Sequence, residues 1–191
     1  MKRHWYEYLW IWSIVYFGMG FFNILFAWLG LISFFLPLIF AIGFGNKNFC
    51  NRYCDRGQFF RMLGSQHGFS RGKDMPNWLK SKAFRYGFLI FFLGMFCSMI
   101  YNTYIVFAGV KNLNEIVTLF WTIDIPWNWA YTVHVESWIA QFAFGFYSLM
   151  LTSMILGILT MLLFKPRSWC VYCPMGTMTQ MICKLKSNEK I

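Results

Sequence analysis

From Tyr8 to Gly45 the chain carries no charged residue, and this limits its fold more than any other feature. A helix needs about 20 residues to cross the hydrocarbon of a bilayer. The stretch therefore predicts two close spans, at 7–27 and 29–45, parted near Trp28-Leu29-Gly30, where glycine favours a turn. Pro37 bends the second span without forbidding it, because neighbouring helices satisfy freed backbone groups. One crossing followed by a re-entrant piece is the alternative. Composition agrees with an integral membrane protein: 58% of the 191 residues are hydrophobic and 13% are charged, about half the charged share of soluble domains. Disordered chains, secreted miniproteins and most soluble enzymes are excluded.

Two more spans are expected, at about 86–109 and 137–164, giving an all-α membrane protein of four transmembrane helices in two pseudo-repeated hairpins. The first repeat, 1–85, ends in a polar segment (46–85), and the second, 86–191, ends in a basic tail. Together they make one membrane domain. The net charge of +10 is topological: sixteen of the seventeen Lys and Arg flank the spans on one side, and only Lys111 lies on the other. The positive-inside rule then puts both termini and the middle segment on the cytoplasmic face of the cell membrane. No polar domain remains for nucleic acid. Met1-Lys2-Arg3-His4 before an apolar run reads as a retained first helix, since no small-residue cleavage site follows. In the outer loop, Trp121, Trp127, Trp129 and Tyr131 read as interfacial anchors, with contact to a quinone as the alternative.

Four of the six cysteines form two close pairs, each just beyond the cytoplasmic end of a hairpin. The first lies in Phe49-Cys50-Asn51-Arg52-Tyr53-Cys54-Asp55-Arg56-Gly57, the second in Trp169-Cys170-Val171-Tyr172-Cys173-Pro174-Met175-Gly176. Each has an aromatic before the first cysteine, a tyrosine before the second and a glycine three positions on. Amphipathic stretches follow both (Phe59, Phe60, Leu63; Met175, Met178, Ile182, Leu185), so the unit looks duplicated. A hairpin returns the chain to the side it left, so both loops share one face. Two pairs supply four thiolates, the ligand number of an iron–sulfur or a zinc site. The cytosolic face keeps thiols reduced. An iron–sulfur cluster fits short, glycine-containing loops; structural zinc, a thiol–disulfide exchanger working with quinone, and simple burial of cysteines are the competing readings.

These motifs resemble those of membrane-bound 4Fe-4S binding proteins related to the NapH and NosR electron-transfer families, whose hairpins are followed by Cys-x₃-Cys-Pro motifs on the cytoplasmic face. The strongest match is Trp169 to Gly176, and the likeness covers residues 25–185. Asp55 stands where the family has proline, and the second pair is Cys-x₂-Cys, which bears on cluster type and potential. The resemblance implies one cluster, a [4Fe-4S] or else a [2Fe-2S], held by Cys50, Cys54, Cys170 and Cys173. It also implies a cytoplasmic ferredoxin or flavoprotein as one partner, and a quinone or another membrane redox subunit as the other. Around such a cluster Arg52 and Arg56 favour reduction and Asp55 opposes it, with topology and contact to lipid headgroups as the alternative role of the arginines. Gly57 and Gly176 let the backbone approach the sulfurs or else end turns, and Tyr53 and Tyr172 shield the site or else anchor at the interface. Cys97 reads as a packing residue in the third span, and Cys183 as packing toward lipid, with a replacement ligand as the alternative.

Other chemistries lack residues. His4, His67 and His134 all fall outside the spans, so no facing pair could ligate haem. No nucleotide-binding glycine pattern is present, and no span carries an acid or base to mark an ion path. The expected role is electron carriage, as a subunit rather than a self-contained enzyme. A structural or assembly subunit with a Cys₄ zinc site is the rival.

Overall fold

The computed structural model describes residues 4–46, 49–126 and 135–188. Trp127, Trp129, Tyr131 and His134 lie outside the described residues. The described chain is mostly helical. A 3₁₀ turn, Trp5–Leu9, leads into α1, Trp10–Phe22. The chain then breaks at Asn23, not at Trp28-Leu29-Gly30 as expected. Asn23 is extended, with φ −145°, and its side chain accepts a hydrogen bond from the Leu25 N–H at 3.0 Å. A short polar side chain that caps a helix start wins here over a glycine that need not turn. Gly30, at φ −64°, is helical, so the turn Ile24–Leu29 runs directly into α2, Gly30–Phe44, which contains Pro37. At its far end Gly45 takes φ +62°, the left-handed conformation that ends helices.

The first cysteine loop holds a wide turn, Phe49–Tyr53, followed by α3, Asp55–Arg61, and a second wide turn, Met62–Gln66. After α4, Asn77–Lys80, comes α5, Lys82–Phe107. An antiparallel hairpin follows, β1 (Ile116–Leu119) paired with β2 (Ile123–Pro126) from Ile116↔Pro126 to Leu119↔Ile123. This corrects the all-α expectation: alternating burial and β-branched residues at 116–118 suit a small strand pair. Then come α6, Ser137–Leu163, a 3₁₀ turn at Ser168–Val171, and α7, Pro174–Asn188. Among the described residues, three helical segments are long and apolar enough to cross a membrane: Ile24–Phe44, Lys82–Phe107 and Ser137–Leu163. Their outward faces carry large apolar groups, Ile39, Ile90, Tyr101 and Leu159 among them, as lipid contact requires.

The chain forms two compact units, each drawing on both halves of the sequence. The unit of residues 14–31 and 92–154 has a core of Ile24, Ala27, Val117, Ala143, Phe144 and Tyr147. Tyr147 donates to the Phe17 carbonyl at 2.9 Å, and its ring lies where a side chain on Gly20 would stand. Close helix packing over small residues is the usual solution between apolar helices.

The unit of residues 1–13, 32–91 and 155–191 contains both cysteine loops. Phe60 is fully buried on Gly157, and Gly64 sits so close to Pro166 that a Cβ would come within 2.8 Å of it. The next segment is tied to the end of α6: Ser70 donates to the Phe164 carbonyl, the Arg71 N–H to Leu162 O at 3.2 Å, and Lys165 pairs with Asp74 at 2.5 Å. Thus the chain leaving the first cysteine pair is fastened to the stretch entering the second. From the other side, Lys186 of α7 donates to the Ile42 and Gly43 carbonyls at the end of α2, at 2.6 and 2.9 Å.

Candidate metal centre

Cys54 and Cys173 occupy equivalent places. Cys54 is the capping residue of α3, and Cys173 precedes Pro174, the first residue of α7. Proline suits that first position because its missing N–H would have had no helical partner. The two capping geometries repeat: Gln58 N–H donates to Cys54 O at 3.0 Å, and Thr177 N–H to Cys173 O at 2.9 Å. The unpaired N–H groups of each first turn reach back to sulfur, from Gly57 to Cys54, and from Gly176 and Met175 to Cys173. The Trp169 indole adds another donor to Cys173.

The other two cysteines sit in the loops. Cys50, in the turn Phe49–Tyr53, places its sulfur 3.7 Å from Thr179 Oγ1 of α7. Cys170 stands in the 3₁₀ turn before α7; the residue is exposed, and its thiol is turned toward the other cysteines. The two loops meet at Gly57. A Cβ there would lie 3.8 Å from Cys54 Sγ and 3.9 Å from Cys170 Sγ, and one on Gly176 would lie 3.8 Å from Cys173 Cβ. All four thiols are also electrostatically coupled, Cys54 to Cys170 and Cys173, and Cys170 to Cys173 and Cys50. Desolvation pushes the Cys170 thiol up to about 12, and it raises Cys54 and Cys173 as well. Asp55 adds to the rise at Cys54, and Cys173 to that at Cys170. Thiols crowded in this way ionise together only around a cationic centre.

Among the described residues, no group of three His, Cys, Asp or Glu side chains stands in a geometry that would hold a metal ion. Gly57 and Gly176 bring no side chain beside the sulfurs, which leaves room for an iron–sulfur cluster or a zinc ion alike. Four soft donors and backbone N–H groups aimed at sulfur are the donor set such a cluster takes.

Of the neighbours expected from sequence, Arg56 counters the rise at Cys173, so its charge acts on the site. Arg52 is exposed, and its carbonyl accepts from Gln58 Nε2 at 2.8 Å. Tyr172 is buried among Phe84, Phe88 and Trp169, while Tyr53 packs on Trp5 and Phe49. Sequence reasoning missed four contributors. Thr179 faces Cys50; buried Gln58 pins the first loop; Arg167 eases the rise at Cys170 and donates to Asn51 O at 3.2 Å; buried Ser13 donates to Asp55 at 3.0 Å. Only Thr179 had a readable signal, its place one turn beyond Gly176. Cys97 is exposed on α5 rather than packed inside the chain, because it falls on an outward face of that helix. Cys183 is half-buried on α7, one turn past Thr179.

No curated protein and no solved structure matches the chain. Residues 26–74 and 148–191, each stretch running through one cysteine pair, match the family model described as the 4Fe-4S binding domain, and the cofactor is an iron–sulfur cluster of that kind.

Proposed function

We propose that this chain is a membrane electron-transfer protein in which Cys50, Cys54, Cys170 and Cys173 hold one [4Fe-4S] cluster at the cytoplasmic face. When bound, such a cluster takes up and releases one electron at a time. The rest is positioning by the protein. Cys54 and Cys173 present sulfur at the starts of α3 and α7, where N–H groups stabilise negative charge. Arg56 and Arg167 add positive charge beside the thiols, and Tyr172 and Trp169 keep water from one flank.

The observation that carries this reading is the meeting of turns from distant parts of the chain, Cys54 and Cys170 both within 3.9 Å of the point a Gly57 Cβ would occupy. Four spans go with it. The turn Trp5–Leu9 is continuous with α1, and together they extend about 30 Å, the thickness of a bilayer core. The bias of basic residues places the termini and both cysteine loops in the cytoplasm. There a ferredoxin or flavoprotein exchanges electrons with the cluster, and a membrane partner, a quinone or another redox subunit, takes the other end of the transfer. This is the arrangement of the NapH- and NosR-like families.

Anaerobic purification, analysis for iron, acid-labile sulfide and zinc, and EPR of the dithionite-reduced protein test it. The expected result is about four irons and four sulfides per chain with a reduced-cluster signal. Zinc without sulfide would instead establish the structural reading.

A further inference from the structure

From Asn112 to Glu115 the chain runs without a helical turn into β1, and its side chains divide between two cavities of the unit that lacks the cysteine loops. Leu113 and Glu115 face a cavity of about 420 Å³, while Asn114, Ile116 and Thr118 face a smaller one of about 190 Å³. Val106, Lys111 and Asn112 line both. Gly109, at φ +72°, turns the chain out of α5, and the Asn114 N–H donates to Gln141 Oε1 of α6 at 3.0 Å, which fixes the segment against that helix. Ser137, the first residue of α6, completes the wall of the larger cavity. That cavity holds opposite charges that do not meet. Lys111 and Glu115 both line it, yet among the described residues neither side chain takes part in an ion pair or a hydrogen bond. Four positions apart on a helix they would be neighbours; on this segment they stand apart and leave a space between their charges.

We propose that this cavity binds the headgroup of phosphatidylethanolamine, a lipid that carries both a phosphate and a primary ammonium, with the phosphate at Lys111 and the ammonium at Glu115. Two opposite charges that share a space without neutralising each other are the complement of a zwitterion. A purely anionic headgroup would suit Lys111 and be repelled by Glu115. A choline headgroup would turn methyl groups toward the carboxylate, whereas a primary ammonium turns N–H donors toward it. Asn112 and Ser137 add neutral donors for the phosphate oxygens. Position favours a lipid over a soluble zwitterion. The site lies where α5, long and apolar enough to cross a membrane, comes to its end, and Tyr104, Phe107 and Val110 beside it leave large hydrophobic side chains exposed, a surface for acyl chains. Beyond Lys111 the smaller cavity continues past Asn102 and Gln141, amides set within span-length helices. Such groups are costly there without a polar partner, and lipid ester oxygens accept the hydrogen bonds that amides donate.

The test is native mass spectrometry of the full chain, delipidated in detergent and titrated with dioleoyl phosphatidylethanolamine, dioleoyl phosphatidylglycerol or dioleoyl phosphatidylcholine. Wild type should retain one phosphatidylethanolamine, about tenfold more tightly than either other lipid. Glu115→Gln should remove the preference over phosphatidylglycerol, and Lys111→Gln should weaken both of these lipids about tenfold. Asp124→Asn, which removes an exposed acid on β2 outside both linings, should bind as wild type does. Helix content by circular dichroism should be the same in all four proteins. Equal retention of the three lipids by wild type would overturn the proposal, as would unchanged binding in Lys111→Gln or an unchanged preference in Glu115→Gln. Soluble glycerophosphoethanolamine that displaces the lipid at equal concentration would also overturn it, by making the ligand a water-borne zwitterion. Bound lipid is read as added mass whether or not iron is present, so a protein without a cluster leaves this result standing.

Discussion

At the scale of single residues, the site separates groups that bind from groups that make room. Replacing any one of Cys50, Cys54, Cys170 or Cys173 with serine removes a soft donor, and each variant should lose most of its iron and its reduced EPR signal. Cys97→Ser and Cys183→Ser should keep both, because neither sulfur is among the coupled four. Gly57 gives a finer test. A Cβ there meets its neighbours at 3.6 to 3.9 Å, ordinary contact distance, so Gly57→Val should fold. It should nevertheless lose iron, since the branched side chain enters the space between Cys54 and Cys170. Retained helicity by circular dichroism with iron content well below wild type is the expected pair of results; full iron loading would mean that the centre lies elsewhere. The arginines act at longer range. Removing a positive charge destabilises the reduced, more anionic state, so Arg56→Gln and Arg167→Gln should each lower the midpoint potential. The expected shift is on the order of tens of millivolts, as for a charge interacting through a partly solvated medium. Redox titration followed by EPR reads it directly.

At the scale of elements, the two cysteine pairs were legible because their spacing, flanking aromatics and following glycines repeat, and uncharged apolar length then carried most of the long segments. The fastening between elements was not legible. Phe60 looked like half of an amphipathic face, but it buries completely on Gly157 of α6, a pairing across about a hundred residues that no local pattern announces. Gln58, Ser13 and Arg167 are single polar residues with no spacing signal, and they matter only because the fold brings a carbonyl, a carboxylate or a thiol to each. The break at Asn23 was misplaced for a similar reason: a glycine permits a turn, whereas an asparagine that caps Leu25 makes one. Gly157→Ala tests the fastening. The added methyl would strike the Phe60 ring, and the overpacking should cost roughly 1–3 kcal/mol. It should appear as a lowered thermal midpoint and, through the loosened first loop, as faster iron loss on warming. Phe60→Leu in the same background should recover part of the loss, which a general defect in α6 would not allow.

For the whole molecule the governing quantity is where charge sits along an otherwise apolar chain. Nine basic residues fall between Asn46 and Arg85 and five after Phe164, while the stretch from Val110 to Glu136 has Lys111 against three acids. Holding those loops on opposite sides of a bilayer is the arrangement in which the basic excess faces the cytoplasm, and it places all four thiols in a reducing compartment. The same arithmetic makes a strong prediction about accessibility. In intact cells a single reporter cysteine at Lys111 should react with a membrane-impermeant maleimide added from outside. Reporters at Gln66 and Lys73 should react only after the membrane is opened. Native thiols do not confuse the readout when the reporters are placed in a background with Cys50, Cys54, Cys97, Cys170, Cys173 and Cys183 all replaced by serine. Labelling of Gln66 from outside would invert the molecule and set the thiols in an oxidising space, where a disulfide relay becomes the better account. Labelling of Lys111 only after permeabilisation would put both loops on one side. Then α5 and α6 could not form a crossing hairpin, and the first helical stretch would alone decide which leaflet receives the cysteines.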